Sequence, residues 1–419
     1  MKNKNLILID IGSSTIKVYS FRNKKLNTIL QRSIPLKNNF DPEGGISPEN
    51  KKELIELLKS LKEENPEARF KTYATAVFRK LTHQAKIQLI DEIFQETGIF
   101  LNIISQDLEN FYLEMALVGK ADFKENVLLI NIGGGSTEIV VLYGKEAIER
   151  KNIDLGVSTI IETFPSINNS YSGISLKKIV FWVKEKLPDL TNKVRVAFYT
   201  GGELKYMQLA NYPLEKNKFF ADNDHPLCIK LENFSTKNWE VFNKISLKHL
   251  ESLMPENPSW MHGARGCSVI AQAICEKYKV KYIIPSNSNI INGAIRQEFK
   301  YVTISGSFRK HLLDIINVKK YLEKMGVTVL SPRFTVPKNP KSEFVIFDGE
   351  DGLTPLQLER YHLDSIGKSD ALIVCNPQGY VGASALIEIG YAHSLGKRVI
   401  FTEKPEEFIL NTLPSEIGL

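Results

Sequence analysis

Two short segments of the sequence place glycine, serine and threonine directly after an apolar run. They are Asp10-Ile-Gly-Ser-Ser-Thr and Asn131-Ile-Gly-Gly-Gly-Ser-Thr. A glycine backbone can approach an anion closely with its N–H groups directed at it, and hydroxyl groups add further donors. Such turns are suited to holding phosphate groups, and a Gly-Gly pair forms a third one. The candidate phosphate-binding residues are Gly12, Ser13, Ser14, Thr15, Gly133, Gly134, Gly135, Ser136, Thr137, Gly201 and Gly202.

Each of the first two turns is preceded by a residue whose side-chain oxygen a metal ion can use. Asp10 offers a carboxylate, and Asn131 offers an amide carbonyl without charge. Oxygen ligands of these kinds suit Mg²⁺ or another divalent cation beside bound phosphates. We therefore expect Asp10 and Asn131 to be metal ligands, with Mg²⁺ or another divalent cation as the cofactor.

Short strands must position these turns. The apolar run Leu6–Ile9 predicts a buried strand, and Ile16–Phe21 predicts its hairpin partner. Val127–Ile132 and Ile139–Leu142 repeat this pattern about 120 residues later. A repeated strand–glycine turn–strand unit predicts two related lobes that face each other.

The pattern changes from Tyr301 onward to a regular alternation of strands and helices, which predicts a small parallel-sheet domain. Ligands of such sheets bind at the carboxyl ends of the strands. The candidate residues for binding a nucleoside there are Gly306, Ser307, Phe308, Asp370, Asn376, Gly379 and Tyr380. Glu388 follows a glycine-containing loop, just inside a predicted helix.

The first part of the chain resembles the exopolyphosphatase / guanosine pentaphosphate phosphatase (Ppx/GppA) family over residues 1–299. Besides the glycine turns, Ala74–Arg79 resembles its "ATSAxR" segment, Ile104–Asn110 resembles "ISGxEEA", and Asp154–Val157 resembles "LG(A/V)". The chain departs from the family pattern at Asn131, where an aspartate is usual, and at Gln106, where a glycine is usual.

This resemblance implies an actin-like (ribonuclease H-like) fold of two lobes, with substrate between the lobes and a homodimer as the assembly. It implies hydrolysis of the terminal phosphate of polyphosphate or of guanosine pentaphosphate with a divalent metal. By position in the family pattern, Glu109 is the catalytic base that orients the attacking water. Arg79 is the side chain that pairs with phosphate oxygens through its planar group of donors.

The C-terminal segment, residues 300–419, resembles the nucleoside 2-deoxyribosyltransferase-like family, and the resemblance runs over roughly residues 301–403. The resemblance is carried by Glu388-Ile-Gly-Tyr-Ala and by the run from Asp370 to Asn376-Pro377. It implies that Glu388 is a nucleophile for the anomeric carbon of a nucleoside sugar. The family often has an aspartate six residues earlier, and this chain has Gly382 there. A nucleotide-binding module without chemistry is the alternative.

These features predict an α/β protein with lobe I at residues 1–125, lobe II at 126–299 and a small Rossmann-like parallel-sheet domain at 300–419. The first functional interpretation is a phosphohydrolase with a domain that handles nucleosides or nucleotides. The alternatives are a sensor that binds nucleotide or polyphosphate without turnover, and an actin-like sugar kinase. The turn sequence Gly-Gly-Gly-Ser-Thr-Glu138 and the Glu109 segment favour the phosphatase over the kinase. The sequence does not distinguish polyphosphate from guanosine pentaphosphate as the substrate, nor does it show which nucleobase the C-terminal domain prefers.

Composition limits the functional class further. The 419 residues are 43% hydrophobic and carry a formal net charge of +6, which fits an anionic substrate but also a lysine-rich surface. No basic stripe alternates with aromatic residues, so we expect no nucleic-acid partner. The four cysteines form no CxxC pair, and no apolar run has the length of a membrane span. We therefore expect a cytoplasmic protein with no membrane partner.

Overall fold

The computed structural model describes residues 5–118, 123–144, 146–169, 174–200, 203–219, 225–339 and 344–419. By their internal contacts, the residues form two compact units: Met1–Glu109 with Gln297–Leu419, and Asn110–Arg296. The C-terminal segment from Tyr301 onward is thus part of the unit that carries the first glycine turn. Within the described residues, no helix combines the length and the apolar character needed to cross a membrane.

The first sheet carries the Asp10 turn. Its strands are β1 (Leu6–Ile11), β2 (Thr15–Arg22), β3 (Lys25–Ser33) and β4 (Arg69–Ala74), in the order β3-β2-β1-β4. Strand β1 is antiparallel to β2 and parallel to β4. The helices that follow in the chain are α1 (Pro48–Glu64), α2 (His83–Thr97) and α3 (Gln106–Val118). Helix α1 is capped at its start, since the side chain of Ser47 accepts the N–H of Asn50 and Pro48 occupies the first turn.

The second sheet carries the Asn131 turn. The elements of this part of the chain are β5 (Phe123–Ile132), β6 (Thr137–Gly144), β7 (Glu146–Ile153), α4 (Val157–Thr163), α5 (Leu176–Lys186), β8 (Val196–Thr200), α6 (Glu203–Leu209), β9 (Glu215–Lys216), β10 (Leu227–Lys230), α7 (Leu231–Asn243), α8 (Leu247–Ser252), α9 (Ala264–Lys277), β11 (Tyr282–Pro285) and α10 (Ile290–Ala294). The strand order is β7-β6-β5-β8-β11-β10-β9. Helix α9 is buried along almost its whole length and packs in the core of this unit.

The predicted duplication is present in the backbone. The order β3-β2-β1-β4 of the first sheet recurs as β7-β6-β5-β8 in the second. Asp10 pairs with Lys17 across the first hairpin, and Asn131 pairs with Glu138 at the same position of the second. Both turns close with one hydrogen bond, from Gly12 N to the Thr15 carbonyl and from Gly133 N to the Ser136 carbonyl, at 3.0 and 2.8 Å.

The C-terminal segment forms the predicted parallel sheet. Its elements are β12 (Tyr301–Gly306), α11 (Leu312–Lys324), β13 (Thr328–Ser331), α12 (Pro355–Lys368), β14 (Ala371–Cys375), α13 (Ala383–Ser394), β15 (Arg398–Phe401) and β16 (Glu416–Ile417). The strand order is β13-β12-β14-β15-β16, and every pairing is parallel. Apolar clusters cover both faces of this sheet, as expected for buried parallel strands.

An ion network joins the C-terminal segment to the first sheet. Glu298 pairs with Lys71 of β4 at 2.5 Å and with Arg398 of β15 at 2.6 Å, and Arg398 also pairs with Glu416. Burial alone would raise the pKa of Glu298, but Lys71 and Arg398 outweigh burial and lower it from 4.5 to about 2. The carboxylate therefore neutralises cations from two different sheets within one unit.

We expect Glu298→Gln to destabilise the protein by about 3–5 kcal/mol, because it leaves Lys71 and Arg398 without their shared carboxylate. Chemical denaturation of the full chain measures this effect. Glu53→Gln, which breaks the exposed pair with Arg32, is the control and should change stability by less than about 1 kcal/mol. Since the folded-state pKa of Glu298 is depressed, its contribution is fully present above pH 4.5 and disappears as the pH falls towards 2. Equal effects of the two variants would contradict this role.

Candidate active sites

The first glycine turn lies beside two carboxylates with altered proton affinity. Burial raises the pKa of Asp10 to about 6, Lys17 opposes this rise, and the nearby charge of Glu109 adds to it. In the turn itself, the N–H groups of Ser13 and Ser14 have no acceptor among the described residues. The first predicted phosphate turn therefore offers backbone donors close to a carboxylate whose pKa is raised, first by burial and then by the charge of Glu109.

Arg79, predicted to pair with phosphate oxygens, and Glu109, predicted to be the general base, form an ion pair in the structure. Nη1 of Arg79 donates to Oε2 of Glu109 at 2.6 Å, and Nη2 donates to the side-chain carbonyl of Gln106. Arg79 lies in a 3₁₀ turn over Ala76–Lys80, whereas Glu109 lies in the first turn of α3. Burial raises the pKa of Glu109 more than Arg79 lowers it. The carboxylate is thus a stronger base than a solvated glutamate, as a general base requires.

The second glycine turn presents a row of free donors. The N–H groups of Gly134, Gly135 and Ser136 have no acceptor among the described residues. The turn is fixed by the start of α4. The N–H groups of Val157 and Ser158 donate to the carbonyls of Gly133 and Gly134 at 3.0 and 2.7 Å. The free donors are therefore fixed in place, as an anion-binding turn requires.

Gly156 makes this support possible. A Cβ at this position would lie 2.6 Å from the carbonyl oxygen of Gly134, so a larger residue would displace the turn. The Leu155-Gly156-Val157 segment, which in the sequence carried only a family resemblance, is thus a structural support of the phosphate turn.

Asn131 is held by a buried carboxylate that follows the second turn. Nδ2 of Asn131 donates to Oε2 of Glu138 at 2.7 Å, and Oγ of Ser136 donates to Oε1 at 2.7 Å. An aspartate in place of Asn131 would place two carboxylates in contact here. The neutral amide of Asn131 can instead donate a hydrogen bond to Glu138. The side-chain carbonyl oxygen of Asn131 lies 3.4 Å from the hydroxyl of Thr200.

The two predicted metal ligands belong to different units, Asp10 to the first and Asn131 to the second. Within the described part of the chain, no group of three or more His, Cys, Asp or Glu side chains has the arrangement of a metal site. The predicted phosphate residues Gly201 and Gly202 lie outside the described residues.

The C-terminal sheet carries a cavity of about 450 Å³. Five of the predicted residues line it: Gly306, Ser307, Phe308, Tyr380 and Glu388. Aromatic side chains form much of the remaining wall, and ring contacts such as Phe308–Phe347 at 5.5 Å fix their orientation. The wall also carries charged side chains, among them Arg309, Arg333 and Glu388. A cavity of this size that combines aromatic and polar groups is typical of a small-molecule site.

The cavity wall also contains a residue that was not predicted from the sequence. His362 of α12 lies with its Nε2 3.2 Å from Oε2 of Glu388, and its Nδ1 2.7 Å from the hydroxyl of Ser331. The pattern Thr354-Pro355-Leu356-Gln357 is a helix-capping signature that could have predicted α12 and therefore this face.

Three predicted nucleoside-binding residues lie outside the lining of this cavity. Asp370 precedes β14, at the amino end of the strand, where it accepts the N–H groups of Lys300 and Tyr301. Asn376 is buried and bonds to Thr402 and Glu403. Gly379 packs against the chain near Glu406, where a Cβ would meet that side chain at 2.7 Å. All three residues thus make contacts within the fold and are not exposed to the cavity.

Solved structures with a similar fold cover most of the chain. An exopolyphosphatase from Cytophaga hutchinsonii is 15% identical, with a TM-score of 0.57 over 70% of this chain and 97% of its own. A Ppx/GppA family member from Aquifex aeolicus is 20% identical, with a TM-score of 0.53 over 70% of this chain and 96% of its own. The predicted fold, an α/β actin-like domain followed by a parallel-sheet domain, is confirmed.

The sequence comparison finds a family match within this fold. Residues 18–224 match the Ppx/GppA phosphatase family. A bifunctional 3-dehydroquinate synthase/phosphatase from Fusobacterium nucleatum is 30% identical over 234 residues, which cover 53% of this chain and 34% of that protein. The chain therefore spans about a third of the length of this curated relative. The nucleoside 2-deoxyribosyltransferase-like character of the C-terminal segment stays a prediction.

Proposed function

We propose that this protein hydrolyses phosphoanhydrides and releases terminal phosphate from polyphosphate or guanosine pentaphosphate. The observation that carries the proposal is the group of Asp10, Arg79 and Glu109 beside the first glycine turn. It combines two carboxylates of raised pKa with an arginine. The match of residues 18–224 to the Ppx/GppA phosphatase family supports the same reaction class. A titratable pair with perturbed proton affinity is a typical feature of a catalytic site.

Glu109 accepts a proton from the attacking water in this reaction. The water oxygen forms a bond to the terminal phosphorus, and the bridging P–O bond breaks, so the leaving phosphate chain takes the electron pair. The raised pKa of Glu109 makes this proton transfer more favourable. Arg79 donates to oxygens of the transferred phosphate, and the glycine-turn N–H groups bind the oxygens that do not react.

Mg²⁺ or another divalent cation is the proposed cofactor. Asp10 would hold it, because the carboxylate is partly buried and repelled by Glu109, and a cation relieves that repulsion. The bound ion would neutralise phosphate charge. We expect Asp10→Asn to weaken Mg²⁺ or Mn²⁺ binding at least about tenfold in calorimetric titration of the full chain. Asp107→Asn, an exposed position in the same unit, is the control. Unchanged affinity of Asp10→Asn would remove Asp10 from the metal site.

The direct test of the main proposal is phosphate release by the purified full chain. Polyphosphate and guanosine pentaphosphate are each supplied with Mg²⁺, Mn²⁺ or no metal. Release from at least one substrate, dependent on the metal, is the expected result. Absence of release with both substrates and every metal would overturn the hydrolase and favour a binding or sensing role.

A second function is carried by the C-terminal cavity, for which we propose nucleosides or nucleotides as ligands. The specific observation is Glu388, a buried carboxylate on the wall of an aromatic cavity. In the proposed reaction, a Glu388 oxygen bonds to the anomeric carbon while the bond to the base breaks, and the departing base takes a proton from solvent. Water or a second base then attacks that carbon and releases the carboxylate.

A further inference from the structure

Three polar side chains from three different elements meet in the wall of the C-terminal cavity. Ser331 ends β13, His362 lies in the middle of α12, and Glu388 lies in α13. All three are more than nine-tenths buried. The hydroxyl of Ser331 and the carboxylate of Glu388 lie on opposite sides of the imidazole ring, at 2.7 and 3.2 Å.

The two oxygens of Glu388 have different surroundings. Oε2 is sealed from solvent, faces Nε2 of His362, and has no aligned hydrogen bond. Oε1 has no partner among the described residues and is not sealed, so it is the oxygen that a ligand in the cavity can reach. A buried carboxylate without a partner would be unstable as an anion, and the ring of His362 is the group that offsets this.

The charges around His362 favour the imidazolium form. Burial lowers the pKa of His362, but Glu388 of α13 and Glu359 of the same helix outweigh burial and raise it. Burial and the charge of Glu388 also raise the pKa of Glu359, so the two carboxylates make the potential around His362 negative. With both ring nitrogens protonated, Nδ1 donates to Ser331, and Nε2 carries the positive charge that faces Glu388.

We propose that His362 is a positioning residue of this cavity. Its imidazolium ring, anchored by Ser331, holds Oε2 of Glu388 in place and leaves Oε1 directed at the ligand. The proposal rests on the C-terminal function proposed above, because it assigns His362 a task in that chemistry. It acts through Glu388 and has no bond of its own to the sugar.

Variants of the full chain test the effect on the reaction. With deoxyribonucleosides and their 5′-monophosphates as substrates, we expect His362→Gln to lower kcat by about 10- to 100-fold, because Oε1 loses its fixed direction. KM should change less than about threefold, since His362 does not hold the ligand. Ser331→Ala, a milder change, should lower kcat in the same sense. His393→Gln, which changes a histidine of α13 that is absent from the cavity wall, is the matched control.

A second measurement determines the protonation state of His362 beside Glu388 and does not require enzymatic turnover. Selective ¹⁵N labelling of the seven histidines allows the His362 signal to be assigned by its loss in His362→Gln. We expect both ring nitrogens of His362 to be protonated at pH 7 in the wild type, and one of them to be deprotonated in Glu388→Gln. A neutral ring in the wild type would overturn the proposal.

The two measurements separate the possible failures. Unchanged kcat in His362→Gln, in an active and folded protein, overturns the positioning role. If the wild type cleaves none of these substrates, the proposed C-terminal reaction fails, and the ¹⁵N experiment still accepts or rejects the ion pair. Circular dichroism and thermal unfolding of each variant identify loss of folding, in which case Ser331→Ala provides the kinetic comparison.

Discussion

Replacing Glu109 by glutamine is expected to slow phosphate release by about 10²-fold or more. Glutamine keeps the shape of the side chain and an acceptor for Arg79, but it cannot take a proton from water. In the structure this carboxylate is shielded from solvent, which raises its pKa even though Arg79 lies 2.6 Å away. The variant thus removes basicity while leaving most of the packing intact. Steady-state phosphate release with saturating Mg²⁺ measures the effect.

The control for this experiment lies two residues earlier in the same helix turn. Asp107 is exposed, and Asp107→Asn should keep the rate within about twofold. The stability of Glu109→Gln should stay close to that of the wild type in thermal unfolding, so that a slower rate reports chemistry. Wild-type turnover in Glu109→Gln would exclude this residue as the base.

The sequence predicted the glycine turns well because their requirements are local. A turn after an apolar strand needs residues without large side chains, and the register of each hairpin follows from the alternation of its neighbours. Asp10 and Asn131 therefore occupy equivalent positions in the structure, opposite Lys17 and Glu138. The contact between Asn131 and Glu138 depends on the same short-range register.

Contacts between distant segments were harder to predict. Arg79 and Glu109 are 30 residues apart, and the sequence linked them only through a family resemblance. The second contact of Arg79, with Gln106, depends on how the 3₁₀ turn packs beside the start of α3. No periodicity in the sequence reports that packing. The residue that departs from the family pattern thus became an arginine partner.

In the C-terminal site, too, features set by local sequence were predicted and contacts between distant segments were not. Glu388 and the loop after β12 line the cavity as the strand-end rule predicts. Asp370 does not, because it precedes its strand and therefore lies at the opposite edge of a parallel sheet. His362 was not predicted because its contact with Glu388 depends on the packing of α12 against α13, which no local pattern in the sequence reports.

Replacing Glu388 by glutamine is expected to abolish base release or exchange by the C-terminal cavity, with a loss of more than about 10³-fold. Glutamine fills the same volume but cannot form and release a glycosyl ester. The wild type, quenched with acid during turnover of a deoxyribonucleoside, should show a mass increase of one deoxyribosyl group, and Glu388→Gln should show none. Phosphate release should be unchanged in this variant, because Asp10 and Glu109 are not among the cavity residues.

The control for Glu388→Gln is Asp364→Asn, which removes an exposed carboxylate from α12 and should affect neither reaction. Calorimetric titration of the full chain with nucleosides and their 5′-monophosphates separates binding from chemistry. Binding that persists in Glu388→Gln while base release disappears is the expected result, since aromatic side chains form much of the wall. Base release that continues in Glu388→Gln would rule out a nucleophile. Binding without base release in the wild type would define a nucleotide-binding module, in which the pair of Glu388 and His362 serves ligand recognition.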